Sequence, residues 1–353
     1  MPLLSIRGGI PAFASRVRAG EAVTIVAFGT SITLGGQYLA PLVPALSAAT
    51  GNDRIELVNS GLRGYMSIWG AFRVSERVLV HRPDLVLIEF AHNELDVGRA
   101  LESITPGLEG IISQIRAASP ACEIVFVYLA QQGAAAGGTT PAMDVHEEIA
   151  EYFGIASIDL VAVTEAAVAS GAATWNGAGP TALTHDGVHH TPLAAELLGV
   201  PFAAAMTELI AASVTPRPPP QPIRDARFSA AWSMPARDFV SGPNWGAGMP
   251  NNHETRRIEA YSGQVAVATA PGARLRLTFA GAEVFVWASG TGSIRISGSG
   301  RREPRDVQLG GNVQWDLTPL MGDREDGVHE IDVEVTALPV AFGDVFFVGT
   351  PKG

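Results

Sequence analysis

Residues 23–33 read VTIVAFGTSIT, an apolar run that stops at Gly29 and opens into Thr30-Ser31-Ile32-Thr33. Val, Ile, Ala and Phe in succession, with almost no polar alternation, are what a strand buried on both faces looks like. A serine therefore emerges at the carboxyl end of that strand, the edge where open α/β sheets carry their sites. The arrangement recurs twice: Arg54 to Asn59 leads into NSGLRGYMS (residues 59–67), and Leu85 to Phe90 leads into Ala91-His92-Asn93-Glu94. A serine, a glycine and an asparagine are thus expected at one end of a parallel sheet.

Further apolar runs at Ile124 to Leu129 and Ile155 to Ile158 extend the pattern, and helical periodicity fills the gaps at Gln37 to Thr50, Ile68 to Val80, Ile104 to Ala118 and Ala142 to Phe153. A last helix is expected after Thr191-Pro192, because proline suits a first helical turn. Alternating strand and helix implies right-handed βαβ crossovers, hence a doubly wound α/β domain with helices on both faces.

Near the end of this region, Asp186-Gly187-Val188-His189 sets a carboxylate three residues before an imidazole. A serine hydroxyl is a poor nucleophile until a base accepts its proton. His189 is the candidate base for Ser31, and Asp186 the acceptor that fixes its tautomer.

Together these segments resemble the SGNH (GDSL-like) hydrolase superfamily over Val23 to Met206. Ser31 matches the block I nucleophile, Gly64 the block II glycine within N-x-x-x-x-G-x-x-S, Asn93 block III, and Asp186 with His189 block V. The resemblance implies a flavodoxin-like strand order and a serine esterase working through an acyl-enzyme without a cofactor. It also implies an oxyanion site built from the backbone N–H groups of Ser31 and Gly64 and the side-chain amide of Asn93. Two departures stand out: Thr30 where the family has Asp, and Ala-His-Asn-Glu where Gly-x-Asn-Asp is usual. They bear more on loop shape and substrate fit than on whether the chemistry is possible.

Around residue 216 the character changes, with Pro216, Pro218, Pro219, Pro220 and Pro222 marking a stiff extended linker. The expected organisation is a catalytic domain at 1–215, a linker at 216–222 and an all-β sandwich at 223–353. Strand signals at Gln264 to Thr269, Arg274 to Phe279, Glu283 to Ala288, Ser293 to Ser297, Asp306 to Leu309 and His329 to Val335, separated by turn residues, support the sandwich. The stretch Pro271 to Gly281 resembles the opening of galactose-binding-like jelly rolls, which often accompany carbohydrate-active domains.

With 47% hydrophobic and 17% charged residues among 353, the chain reads as two globular domains. A net charge of -11 argues against nucleic acid and anionic membrane surfaces as partners. The expected partner is a small-molecule or glycan ester, with homo-oligomerisation left open. The opening Met1 to Gly9 lacks the basic and apolar regions of a signal peptide, so the reading is cytoplasmic, or secreted or periplasmic if a leader precedes it. The lone Cys122 cannot pair within the chain and reads as a buried thiol.

Other chemistries compete for the same residues. His185, Asp186, His189 and His190 invite a metal reading, but adjacent histidines in an extended loop point apart, and no metal is assigned. Glu89, Glu94 and Asp96 could serve a glycosidase as paired carboxylates, although ion pairing is the expected role of Glu89. Tyr65, Glu94 and Trp175 are the candidate substrate contacts, while Trp69 is assigned to the core. The favoured substrate is an acetylated carbohydrate; the alternatives are a lipase or thioesterase, a glycoside hydrolase, and a non-catalytic carbohydrate-binding protein.

Overall fold

The computed structural model describes residues 1–94, 103–132, 140–177, 179–212, 223–246, 265–298, 303–309, 318–321 and 327–350. The chain divides into two compact units, Met1–Ser229 and Ala230–Gly353. The proline-rich linker lies outside the described residues, as do Asp96, residues 133–139 of the low-complexity loop and the Asn251–His253 segment.

In the first unit, β1 (Leu4–Ser5), β2 (Val23–Gly29), β3 (Ile55–Asn59), β4 (Leu85–Glu89), β5 (Glu123–Tyr128) and β6 (Ala156–Asp159) form one sheet in the order β1-β6-β5-β4-β2-β3. Strands β2 to β6 are parallel. Counted from β2 they run 2-1-3-4-5, the flavodoxin-like order. The short β1 adds an antiparallel edge on β6 that the sequence did not signal.

Successive strand residues are buried on opposite faces. Val23, Ile25, Ala27, Leu85, Leu87, Val125 and Val127 join a core with Phe13, Leu46, Phe202 and Met206. Val26, Phe28, Val86, Ile88 and Phe126 point the other way and are equally buried. There Phe28 meets Phe90 edge-on at 5.1 Å. Each such side chain contributes about 2 kcal/mol by leaving water. This two-sided burial is why the strands read as unbroken apolar runs.

Two expected helices are shorter than their periodicity suggested. Gln37 to Thr50 becomes a 3₁₀ turn at Gln37–Leu39 and a helix at Leu42–Thr50, interrupted at Pro41. Ile68 to Val80 becomes helices at Ser67–Ala71 and Val74–Arg77, then a 3₁₀ turn at Leu79–His81. Helices at Ile104–Ala118 and Pro141–Phe153 follow the expectation closely. The last begins as a π turn at Ala195–Gly199 and continues as an α-helix over Val200–Ala211.

The segment after the linker belongs to the first unit. Glu109, fully buried, accepts from Arg224 Nε at 2.7 Å, Arg224 N at 2.6 Å and Asp225 N at 2.7 Å. Phe228 packs edge-on against Phe72 at 5.4 Å. These contacts hold the chain to the α/β unit through Ser229, so the second unit starts at Ala230 rather than at the expected 223.

The second unit is antiparallel throughout its described pairings, along the path Trp245–Gly246, Ala266–Ala268, Ala341–Thr350, Arg274–Ser289, Gly327–Ala337, Ser293–Gly298, Arg305–Gln308. Arg274–Ser289 is one long strand where two were expected. Its first half pairs with Gly327–Ala337, and its second half pairs with Thr318–Met321 and Ala341–Thr350. The register shifts between Gly281 and Glu283, which moves the inward positions from Leu275, Leu277 and Phe279 to Val284 and Val286. A Cβ at position 281 would lie 2.2 Å from the Val348 carbonyl oxygen, so only glycine allows this crossing. A strand that changes partners at a bulge is how the corner of a β-sandwich is made.

Candidate active site

Gly29 ends β2, and Thr30 caps the short helix Ser31–Gly35, its hydroxyl accepting from Ile32 N at 3.2 Å. As the first residue of that helix, Ser31 keeps a backbone N–H with no intrahelical acceptor. Ser31 itself is partly exposed.

The imidazole arrives from the far end of the unit. Strands at Thr174–Asn176 and Ala182–Thr184 pair in parallel, and residues 185–190 turn back on the second of them. His185 N donates to His189 O at 2.8 Å, and Gly187 N donates to Thr184 Oγ1 at 2.9 Å. Gly187 takes a left-handed φ of 91°, with space for a Cβ blocked by Gln132. Within this turn Asp186 Oδ1 accepts from Val188 N at 3.0 Å and His189 N at 2.8 Å. Its other oxygen lies 2.7 Å from His189 Nδ1, and His189 Nε2 lies 2.9 Å from Ser31 Oγ. Carboxylate, imidazole and hydroxyl form one chain of contacts.

Partial burial pushes the Asp186 pKa up, but the His189 backbone N–H, the His189 imidazole and the Val188 N–H together outweigh it and hold the carboxyl down at about 2. The carboxylate therefore stays ionised until the pH falls toward 2. Both side chains are open to solvent, 49% exposed for His189 and 53% for Asp186.

Gly64 adopts φ 69°, a left-handed conformation in the loop that follows Asn59. Asn93 reaches the same loop, its Nδ2 donating to Tyr65 O at 2.9 Å. Among the described residues the amide's second N–H meets no acceptor. The loop is tied to the turn that carries Ser31 by Asn59, whose Nδ2 donates to Thr33 O at 2.6 Å and whose Oδ1 accepts from Gly61 N at 3.0 Å. Asn59 stood within the quoted block II motif without an assigned role. The local hydrogen-bonding habit of asparagine is the signal that could have found it.

Of the expected substrate contacts, two are corrected. Tyr65 is fully buried, edge-on to Trp69 at 6.0 Å, and its hydroxyl accepts from Arg73 Nε at 3.1 Å, so its ring offers no surface to a substrate. Glu94 is also buried, accepting from Ser67 N at 3.0 Å and contacting Ser67 Oγ and His146 Nε2. Trp175 is half-buried beside the strand that delivers Asp186. Trp69 packs in the core.

His185 is exposed, whereas His190 is held down at about 4 by burial first and then by the nearby His92 and His189. Among the described residues, no group of three His, Cys, Asp or Glu is placed to hold a metal ion. Burial also pushes the Cys122 thiol up to about 12, with Asp84 and Glu123 adding to it.

Glu89 makes no ion pair among the described residues, contrary to expectation. It is 1% exposed, and its Oε2 accepts from Thr30 N at 3.1 Å, Thr30 Oγ1 at 2.7 Å and Thr33 Oγ1 at 2.9 Å. Burial raises its pKa to about 7 against those hydrogen bonds. Because the folded value lies above the unfolded one, its contribution is full below about pH 4.5 and is lost as pH rises through about 7. That loss amounts to about 3 kcal/mol. Chemical unfolding of wild type should therefore show this decline, and Glu89→Gln should remove it; equal slopes in the two proteins would contradict the assignment.

Comparison with known proteins adds to this geometry. Residues 27–197 match the model of the GDSL-like Lipase/Acylhydrolase family. Among solved structures, the chain is similar to a two-domain esterase (CEX) active on acetylated mannans, with TM-score 0.74, 17% identity, and coverage of 99% of this chain and 100% of that one. The same esterase co-crystallised with mannopentaose gives TM-score 0.72 and 17% identity, covering 99% of each chain. A catalytic mutant of Axe2, an acetylxylan esterase from Geobacillus stearothermophilus, gives TM-score 0.42 and 19% identity over 52% of this chain and 94% of that one. No curated protein matches the chain. At such identities the two-domain likeness speaks to the fold.

Proposed function

We propose that this chain, whose residues 27–197 match the GDSL-like Lipase/Acylhydrolase family model, is a carboxylic ester hydrolase that removes O-acetyl groups from a carbohydrate through an acetyl-enzyme on Ser31. The observation that carries this reading is the unbroken chain Ser31 Oγ, His189, Asp186, at 2.9 and 2.7 Å. In the first step Ser31 Oγ bonds to the acetyl carbon while its proton passes to His189 Nε2. The sugar oxygen then leaves, taking that proton, and acetate remains as an ester of Ser31. Water attacks the ester with His189 again accepting a proton, acetate departs, and the proton returns to Ser31.

Negative charge on the carbonyl oxygen is met by N–H donors from Ser31, Gly64 and the second amide proton of Asn93. Removing one such donor costs about 10²- to 10³-fold in kcat. Asn93→Ala should therefore lose about that factor in kcat with a small change in KM, measured on p-nitrophenyl acetate; an unchanged kcat would remove Asn93 from the oxyanion site.

Two features support a glycan ester over a lipid. The base and its carboxylate are half exposed, which suits an ester carried on a bulky polymer. The two-domain esterase of similar fold is active on acetylated mannans. The test is a comparison of acetate release from acetylated mannan and xylan with hydrolysis of long-chain p-nitrophenyl esters. Preference for the acetylated glycans supports the reading; efficient long-chain cleavage with no acetate release from any glycan would overturn it.

A further inference from the structure

The block I turn carries Thr30 where an aspartate stands in the family it resembles, yet the turn is not without a carboxylate. Glu89, the last residue of strand β4, reaches across the β2 to β4 pairing, where Gly29 stands opposite it. Gly29 lets it come close: a Cβ there would sit 2.5 Å from both the Glu89 carbonyl oxygen and Thr33 Oγ1. One oxygen, Glu89 Oε2, then gathers three donors from the residues on either side of Ser31: Thr30 N, Thr30 Oγ1 and Thr33 Oγ1.

The network is directional. Thr33 Oγ1 donates to Glu89, so the hydroxyl of Tyr38, 3.0 Å away, donates to Thr33. Thr30 Oγ1 donates to Glu89 and accepts from Ile32 N, fixing the cap of the helix that begins with Ser31. Thr30, Thr33 and Tyr38 are all fully buried, and water cannot substitute for a missing acceptor without opening the core. Glu94 is the other carboxylate that acts on Glu89. It is engaged by Ser67 and His146 instead of the nucleophile turn.

We propose that Glu89 is a positioning residue for Ser31: a buried side-chain acceptor for the turn that carries Ser31 is supplied by the neighbouring sheet strand, and Thr30 is its donor partner. This rests on the reading of Ser31 as nucleophile. Glu89 touches neither substrate nor reacting atoms; it acts by holding the turn within reach of His189. Misplacing a reacting group by about 1 Å costs about 10²-fold in rate, so the effect belongs in kcat.

The experiment uses p-nitrophenyl acetate with wild type, Ser31→Ala, Glu89→Gln, Glu89→Leu, Thr30→Asp and the double variant Thr30→Asp/Glu89→Gln, each checked by circular dichroism and thermal unfolding. Glutamine keeps an acceptor oxygen, so Glu89→Gln should stay within a few-fold of wild type in kcat. Glu89→Leu should lose about 10²-fold in kcat with KM within a few-fold. Thr30→Asp alone sets two carboxylates against each other and should fall as far. The double variant reverses donor and acceptor across the same contact and should regain most of the loss.

Recovery in the double variant supports the inference even where Glu89→Leu fails to fold. A folded Glu89→Leu with wild-type kcat, or a double variant no better than Thr30→Asp, would overturn it. Hydrolysis that survives Ser31→Ala would instead overturn the reading of Ser31 on which it rests, and with it the positioning role.

Discussion

Ser31→Ala is expected to lower kcat for ester hydrolysis by about 10⁶-fold, the scale seen when a serine nucleophile is removed from a working triad. Ser31 Oγ is the only hydroxyl His189 Nε2 contacts among the described residues, at 2.9 Å, so alanine removes both the atom proposed to bond to the acyl carbon and the proton proposed to pass to the imidazole. The fold should survive, because Ser31 is partly exposed and makes no cap: Thr30 holds the helix start. Steady-state rates and thermal unfolding on the same preparation separate the two effects. A loss of less than about tenfold in a folded variant would place the chemistry elsewhere.

Asp186→Asn carries the next largest effect, about 10⁴-fold in kcat. An asparagine oxygen can keep the hydrogen bonds from Val188 N and His189 N, so the turn stays in place. The amide that replaces Oδ2 then donates to His189 Nδ1, which forces the imidazole proton onto Nε2. That nitrogen would donate to Ser31 when it must accept. The backbone should not move and stability should change little, since the pair is half exposed and solvent screens it. A folded variant with nearly full activity would mean that Asp186 neither orients nor charges the base.

Much of the α/β unit was legible because parallel strands buried on both faces cannot hide: VTIVAF, LVLIEF and IVFVYL announce themselves without alternation. What escaped has physical reasons. Val161–Ala169 is alanine and valine on every side, so it shows no stripe. Ala341–Thr350, central in the second unit and buried on both faces, has glycines at 343 and 349 and gives no alternating pattern. The stop inside Gln37 to Thr50 was written in Pro41, but the periodic pattern on both sides masked it.

At the site, residue types with strong motif spacing could be named from sequence, and the structure brings Ser31, His189 and Asp186 together across 158 and 3 residues of chain. Tyr65 and Glu94 show the converse. Adjacency to Gly64 and Asn93 made them candidates, yet consecutive residues in a turn point in different directions, and both point into the core. Glu89 and Thr30, 59 residues apart, meet only because β2 and β4 are neighbours in the sheet. No local pattern encodes that contact.

The most direct measurement is mass spectrometry of the enzyme quenched during turnover of p-nitrophenyl acetate, with the acyl group mapped by peptide. A burst of p-nitrophenol and an acetyl group on the peptide that contains Ser31, absent in Ser31→Ala, are expected. Hydrolysis that continues in Ser31→Ala, with no acetyl on Ser31 in wild type, would contradict an acyl-enzyme on Ser31.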